Sequence, residues 1–405
     1  MRPLQTSISH ENMIISKREL CSICGNRNIS EIMDCPDLPL TGLFSDKIEM
    51  HPVPGIDQIL LWCPECGHGQ LYRQIDPFTL YDSNHYSFKT SLSPTARAGT
   101  QNFLNFLSTI SRKALFDCVL DVGCNDLHLL AQMKEIGKIR VGIDPVWIGK
   151  DPENNDSSIK VIGGTVEDSD LKDVLPCRPD LIVCRHTLEH ISNPCLVLEK
   201  LIACATDNAL FLFEVPSFES LVRRMRFDQV YHEHLNYFSL SSFSFLFSKC
   251  GIELLDFSEN YHDWGALIVA FRKQKGTPRK FAFPFSEKDI LRKLELFTGQ
   301  MKNTLLTLQE LNGSLLYGYG AASMLPVLAY HIKSDLSFLQ GIIDDDRQKE
   351  GLYYSNLPLR IRHSGAIANY AQATMFITAV DNVKPIMIKL LANRPKHIVY
   401  PFHIV

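Results

Sequence analysis

The sequence predicts an α/β chain: a small cysteine-bearing module, then a mostly parallel sheet with helices on both faces, then a second, smaller α/β unit. Three observations lead there. Two C-x2-C pairs stand near the beginning, Cys21-Ser-Ile-Cys24 and Cys63-Pro-Glu-Cys66. Short β-branched and apolar runs alternate with helix patterns from Cys118 to Phe271, the pattern of a parallel sheet covered by helices. The same alternation resumes at Leu315, after a polar stretch and a long helix pattern.

Length and composition bound the rest. The chain has 405 residues, which at ~150 residues per domain suggests two to three domains. Hydrophobic residues make up 45% and charged residues 21%, the balance of an ordinary globular protein. A wholly disordered chain, a collagen-like repeat and a coiled coil are excluded. Lys+Arg is 41 and Asp+Glu is 45, a formal net charge of −4, so the basic excess of a general nucleic-acid binder is missing. Apolar runs such as Ala209–Phe213 and Ala266–Phe271 fall far short of the ~18 residues a membrane helix needs. The N-terminus shows no apolar signal-peptide core. The expectation is a cytoplasmic protein with no membrane and no nucleic-acid partner.

Residues 1–75 carry the cysteine module. Four thiolates from two C-x2-C pairs can surround one tetrahedral Zn²⁺, with Cys21, Cys24, Cys63 and Cys66 as ligands. Gly25 and Gly67 follow the pairs and suit the tight turn below each knuckle. Two coincidental thiol pairs are the alternative, and Cys35 and His68 are possible substitute ligands. The remaining cysteines, Cys118 and Cys177 among them, read as core thiols rather than disulfides.

Residues 76–275 hold the main alternation. Strands are expected at Cys118–Val122, Arg140–Ile143, Lys160–Ile162, Asp180–Cys184 and Ala209–Val215, with a closing antiparallel pair at Glu253–Phe257 and Ala266–Phe271. A helix is expected over Leu129–Ile136. Residues 276–405 begin in a polar linker around Lys273–Lys280, then a helix over Glu287–Leu311. Strands at Leu315–Tyr317, Leu339–Ile343 and Thr374–Ala379 complete the second α/β unit.

The chemistry concentrates at strand ends. Leu120-Asp121-Val-Gly123-Cys-Asn125-Asp126 runs from strand through turn to helix. Dinucleotide enzymes place three glycines at this junction so that backbone can approach a pyrophosphate. Here there is one, and two acids in the turn would repel a pyrophosphate. They suit S-adenosylmethionine (SAM), which has no phosphate and carries an ammonium and a sulfonium. The next strand ends Gly142-Ile-Asp144-Pro145, ~20 residues further on, where a carboxylate reaches ribose hydroxyls. An unliganded α/β domain with turn acids is the alternative. The fourth strand runs into Arg185-His186-Thr-Leu-Glu189-His190, a loop placed to close over a cofactor or simply to begin a helix with an acid in its first turn.

The most unusual cluster is Tyr231-His232-Glu233-His234. An imidazole near its unperturbed pKa can act as a general base. A second metal site on His232 and His234, which share a face if the segment is extended, is the rival reading.

These residues together resemble the SAM-dependent sugar C-methyltransferases that make branched deoxysugars. The resemblance rests on the paired knuckles with Trp62, Tyr86-Ser-Phe-Lys-Thr-Ser-Leu-Ser, Leu120-Asp-Val-Gly-Cys-Asn-Asp, Arg185-His-Thr-Leu-Glu-His, Glu214-Val-Pro, Tyr231-His-Glu-His-Leu-Asn-Tyr-Phe-Ser and Gly318-Tyr-Gly-Ala-Ala, in that order. It implies a zinc-binding domain, a Rossmann-like SAM methyltransferase domain and a C-terminal Rossmann-like domain that helps bind a nucleotide sugar. The implied substrate is a dTDP- or other NDP-4-keto-6-deoxyhexose methylated at C3. The implied cofactor contacts are Asp121, Gly123, Asn125, Asp126, Asp144, Pro145, Arg185, His186 and Glu189. His234 is implied as the base, with Glu233, Tyr231 and Tyr86 holding the sugar, and the zinc as structural.

Three departures from the family pattern bear on the sugar. Leu127-His128 replaces Gly-Ser after Asp126, the segment His262–Ile268 lacks an Arg, and Gly99 stands near the place of a His. Other readings remain: an O- or N-methyltransferase on the same fold, an oxidoreductase using Gly318-Tyr-Gly, and a zinc-ribbon scaffold with an inactive enzyme domain.

Overall fold

The computed structural model describes residues 15–48, 53–75, 89–152, 156–260, 265–273, 279–311 and 315–402. Tyr86 and residues 262–264 lie outside them.

A seven-stranded sheet occupies the middle of the chain, in the order Glu253–Asn260, Ala266–Arg272, Leu210–Pro216, Leu181–Arg185, Phe116–Val122, Gly137–Asp144, Ile159–Gly163. The five strands from Leu210–Pro216 to Ile159–Gly163 run parallel. Ala266–Arg272 pairs antiparallel with both Leu210–Pro216 and Glu253–Asn260. All seven were expected, the closing antiparallel pair included. Strand order reverses at Phe116–Val122, which is flanked by the next strand on one side and by the fourth on the other. Such a switch point opens a crevice at the carboxyl ends of the strands. The parallel strands read as continuous apolar runs because apolar clusters cover both faces.

The expected helix over Leu129–Ile136 is shorter: it spans His128–Gln132. Strand Gly137–Asp144 starts five residues later, and the chain between them turns back to pair beside Phe116–Val122.

The N-terminal module is a four-stranded antiparallel sheet in the order Asn236–Tyr237, Gly69–Leu71, Ile56–Trp62, Ser30–Leu38. Its edge strand comes from far along the chain. Asn236 and Tyr237 pair with Gln70 and Gly69, so the strand that follows the second knuckle is hydrogen-bonded to the residues that follow His234. The buried Arg18 guanidinium strengthens this junction, donating to the Leu235 carbonyl at 2.7 Å, the Asn236 side chain at 3.1 Å and the Ser192 carbonyl at 2.7 Å.

The C-terminal sheet has five parallel strands in the order Ile361–His363, Ile342–Asp344, Leu315–Tyr319, Ala373–Ile377, His397–Val399. The helix Glu287–Glu310 joins it to the rest. A Ser286–Asp289 capping box starts the helix, satisfying two otherwise orphaned backbone donors. Its buried stripe of Ile290, Phe297, Met301, Thr304 and Leu308 recurs at helical spacing. One apolar cluster contains Ile32 and Leu60 of the N-terminal sheet, Phe227, Phe297 of the helix, and Leu325 and Phe376 of the C-terminal unit.

One expectation about the cysteines is corrected. Cys118 and Cys177 are joined by a disulfide, although both read as core thiols. Cys118 lies on strand Phe116–Val122, and the loop before strand Leu181–Arg185 brings Cys177 beside it. The pairing is made by tertiary contact across a separation of 59 residues, which spacing alone does not reveal. Among the described residues no helix is long and apolar enough to cross a membrane.

Candidate active site

A cavity of about 210 Å³ opens at the switch point. Strand Phe116–Val122 and its turn contribute Asp121, Gly123, Asn125 and Asp126; the next strand contributes Asp144 and Pro145. Arg185, His186 and His190 line the opposite wall. Every residue expected at the cofactor except Glu189 therefore borders one space.

Local sequence explains the shape of this wall. Gly123 has φ +79°, and a Cβ there would fall 1.9 Å from the Thr187 hydroxyl oxygen, so only glycine lets the two loops meet. Leu127 also sits in the left-handed region, at φ 64°, a conformation that costs an L-residue roughly 1–2 kcal/mol. Its side chain is 5% exposed within an apolar cluster, and that burial offsets the strain. Leucine is tolerated in the turn because it faces the core rather than the cavity.

The cavity acids differ in their bonding. Asp144 accepts from the Asn125 amide and the Val146 amide, both at 2.9 Å. Its pKa is raised, chiefly by burial, with the two amides opposing. Asp126 accepts from the Ser91 amide at 2.9 Å and so ties the cavity wall to the segment before helix Pro94–Ile110. Asp121 is 2% exposed, and burial pushes its carboxyl up to about 7, with Arg185 pulling the other way. Arg185 in turn is paired with the buried Glu214, and donates to Thr100 at 2.9 Å. Asn260 donates to the other Glu214 oxygen at 2.6 Å.

The Tyr231–His234 segment is a turn, not an extended strand, and its histidines diverge. This corrects the shared-face reading. His232 is buried in the N-terminal module, 2.9 Å from the Leu38 carbonyl and 3.5 Å from Gln58. Burial lowers its pKa to about 4; it is an anchor. His234 points the other way. Its Nε2 lies 2.6 Å from the Tyr231 hydroxyl, and its ring packs edge-on against His190 with centroids 4.9 Å apart. Burial, and then the neighbouring His190 and His186, hold its pKa well below the usual imidazole value. Glu233 accepts from the Thr41 hydroxyl at 2.7 Å; burial raises its pKa. Through His190, the His234–Tyr231 pair adjoins the cavity. Nothing in the local pattern announced Thr41 or Arg18, which arrive from the N-terminal module.

Glu189 was expected at the cofactor. It does not border the cavity; it is 1% exposed and sits behind the wall among imidazoles.

The four cysteine sulfurs of the N-terminal knuckles lie within 4.8 Å of one another, with Cys21–Cys66 and Cys24–Cys63 at 3.5 Å. Tetrahedral zinc with Zn–S bonds of about 2.3 Å needs sulfurs about 3.8 Å apart, so the set fits that ion. Hydrogen bonds from the Cys21 and Cys66 thiols push the Cys63 thiol well below its usual value, while the same contacts raise Cys21 and Cys66. Cys35 and His68 stand outside it: His68 is 3.1 Å from the Ser22 hydroxyl and 3.3 Å from Asn236. Gly67 allows Phe283 to close over the knuckle, since a Cβ there would lie 2.6 Å from that side chain.

Comparison with known proteins meets this geometry in the middle of the chain. The family described as "Methyltransferase domain" matches residues 95–256. The match includes the switch-point cavity and the Tyr231–His234 turn but leaves out the knuckles and the C-terminal sheet. The chain is similar to the C-methyltransferase NovU of Streptomyces niveus, 25% identical over 261 residues, covering 63% of this chain and 61% of NovU. Solved structures similar to it include the N-methyltransferase NodS from Bradyrhizobium japonicum WM9 in complex with S-adenosyl-L-homocysteine, at TM-score 0.35 and 15% identity over 45% of this chain and 88% of that one. Another is the Burkholderia thailandensis 1,6-didemethyltoxoflavin-N1-methyltransferase with bound S-adenosylhomocysteine, at TM-score 0.35 and 13% identity over 45% of this chain and 80% of that one.

Proposed function

We propose that the chain is a SAM-dependent C-methyltransferase acting on a nucleotide-linked 4-keto-6-deoxy sugar, at the carbon beside the ketone. One observation carries the reading: the partly buried His234–Tyr231 pair, 2.6 Å apart, adjoins through His190 the cavity of the methyltransferase domain. A base beside a methyl donor is what methylation of a carbon acid requires. The similarity to NovU supports the same choice.

SAM supplies an electrophilic methyl group on a sulfonium. Asp144 holds the ribose, and Asp121 and Asp126 present acidic groups to the cationic end. His234 is neutral at pH 7, because burial depresses its pKa, and so keeps a lone pair for a proton. It takes the proton from the carbon beside the sugar ketone, directly or through the Tyr231 hydroxyl. The C–H electron pair passes into the enolate, whose carbon takes the methyl group as the sulfur–methyl bond breaks. Donors at the ketone oxygen stabilise the developing charge, and alignment of the two reactants carries much of the rate. Glu233 and Tyr86 hold sugar hydroxyls. The C-terminal Rossmann-like unit helps hold the nucleotide. A zinc on Cys21, Cys24, Cys63 and Cys66 is structural, since four thiolates leave no open position.

His234→Asn tests the reading. With a dTDP-4-keto-6-deoxyhexose it should keep S-adenosylhomocysteine binding but lose methyl transfer by roughly 10²–10⁴-fold. It should also lose exchange of the sugar's α-proton with deuterated solvent. Near-normal methyl transfer by this variant would overturn the carbon-acid mechanism.

A further inference from the structure

The buried carboxylate behind the cavity wall calls for an account of its own. Glu189 is 1% exposed, and among the described residues neither of its oxygens has a hydrogen-bond partner. Leaving such a group unsatisfied forfeits the hydration it had in water without a compensating bond. Its surroundings are imidazoles. Oε1 lies 3.6 Å from His186 Nδ1, 3.9 Å from His190 Nε2 and 3.9 Å from His234 Nε2. These separations exceed a hydrogen bond, yet they are short enough for a strong charge interaction in a water-poor interior.

His234 poses the complementary problem. An imidazole buried beside two others is a weak base, because a proton placed on it stays poorly solvated. The mechanism proposed above asks that same imidazole to become an imidazolium. We propose that Glu189 is the positioning residue that balances this charge, so that His234 can accept the α-proton; the inference rests on the C-methyltransferase reading. When the C–H bond breaks and its electron pair enters the enolate, the proton passes to His234. The new imidazolium then forms a charge-paired contact with Glu189, satisfying an oxygen that has no partner beforehand among the described residues. After methyl transfer the proton returns to solvent through His190, which borders the cavity.

The other titratable groups around this cluster do not supply that charge. His186 and His190 are themselves imidazoles. Cys184 is a buried thiol whose pKa is raised well above its usual value, by burial first and then by Glu189. Glu214 lies 3.9 Å from His186 but is committed to Arg185 and Asn260. Glu233 is held by Thr41.

Ring-labelled histidine spectra give a readout that needs no sugar. Wild type, Glu189→Gln and Glu189→Asp are titrated by NMR with S-adenosylhomocysteine present, with His190→Asn and His234→Asn assigning the signals. Glu189→Gln is nearly isosteric and should lower the midpoint of His234, His190 or both by about a pH unit or more. Glu189→Asp keeps the charge and should recover much of that shift. With a dTDP-4-keto-6-deoxyhexose, α-proton exchange at neutral pH should fall at least tenfold in Glu189→Gln, while S-adenosylhomocysteine affinity holds. Unchanged midpoints would overturn the proposal. So would a second metal equivalent in wild-type protein that Glu189→Gln loses, because a cation rather than a proton would then occupy the cluster. Absence of α-proton exchange in the wild type would instead count against the carbon-acid reading, and the histidine midpoints would still decide the role of Glu189.

Discussion

The Thr41 hydroxyl donates to the Glu233 carboxylate across 2.7 Å, so the residue beside His234 is held by the cysteine module rather than by its own loop. The pairing of Asn236 and Tyr237 with Gln70 and Gly69 extends the same connection. The N-terminal module thus shapes the turn that carries His234. Thr41→Val should leave a shielded carboxyl without its donor. Stability should fall by about 1.5–3 kcal/mol, the usual effect for a hydrogen bond to a charged group, and urea denaturation measures it. An unchanged transition midpoint would show that Glu233 finds another partner.

Zinc analysis of purified protein should give one equivalent per chain. The motivation is the cluster of Cys21, Cys24, Cys63 and Cys66. Cys63→Ser should abolish that equivalent and expose the N-terminal module to protease. Because the second knuckle leads into strand Gly69–Leu71, the amides of Asn236 and Tyr237 should also lose protection from hydrogen exchange. A fully folded protein with no metal would contradict the assignment.

Asp144→Ala should weaken S-adenosylhomocysteine binding by roughly 1.5–3 kcal/mol in calorimetry. The variant also removes the acceptor for the Asn125 and Val146 amides. Asp144→Asn, which keeps one acceptor oxygen, should therefore lose less. Equal affinity in all three proteins would move the ribose elsewhere.

The carboxyl of Asp121 makes stability depend on pH. Its folded pKa, about 7, lies above the ordinary value of 3.8. Between those values the folded state holds a proton that the unfolded chain has released, so stability falls as pH rises through this window and levels off above about 7. Asp121→Asn should remove that part of the slope. Urea unfolding at several pH values across the window compares the two proteins, and parallel profiles would refute the shift.

Under non-reducing conditions the protein should carry one disulfide, between Cys118 and Cys177. Peptide mapping with and without reductant detects it. Cys177→Ser should destabilise by about 2–4 kcal/mol, the typical value for a cross-link closing a long loop. Recovery of both residues as free thiols from unreduced protein would contradict the pairing.

Much of the architecture was legible in the sequence, because burial on both faces writes parallel strands as apolar runs. The seven strands of the middle sheet, the antiparallel closing pair and the long helix from Glu287 all follow from local pattern. The residues lining the cavity were legible too. Asp121, Gly123, Asn125, Asp126 and Asp144 fall at strand ends, and in a parallel sheet strand ends converge on one crevice. The four knuckle cysteines announce themselves by spacing.

What sequence did not decide was which side chains meet across large separations. Residues adjacent in the chain part company in the turn at Tyr231–His234: His232 enters the N-terminal module and His234 faces His190. Whether two histidines at i and i+2 share a face depends on whether the backbone is extended, and local composition did not determine that. Thr41 with Glu233, Cys118 with Cys177, and Glu189 with His234 are pairs made by packing of separate layers. The composition of the chain by itself determined the strands, the knuckles and the acids at the crevice, because periodicity and spacing are local. Only the tertiary structure decided that Glu189 lies behind the cavity wall and that His234 joins His186 and His190 around it, because burial and the approach of a side chain 45 positions away are set by packing that sequence distance does not encode.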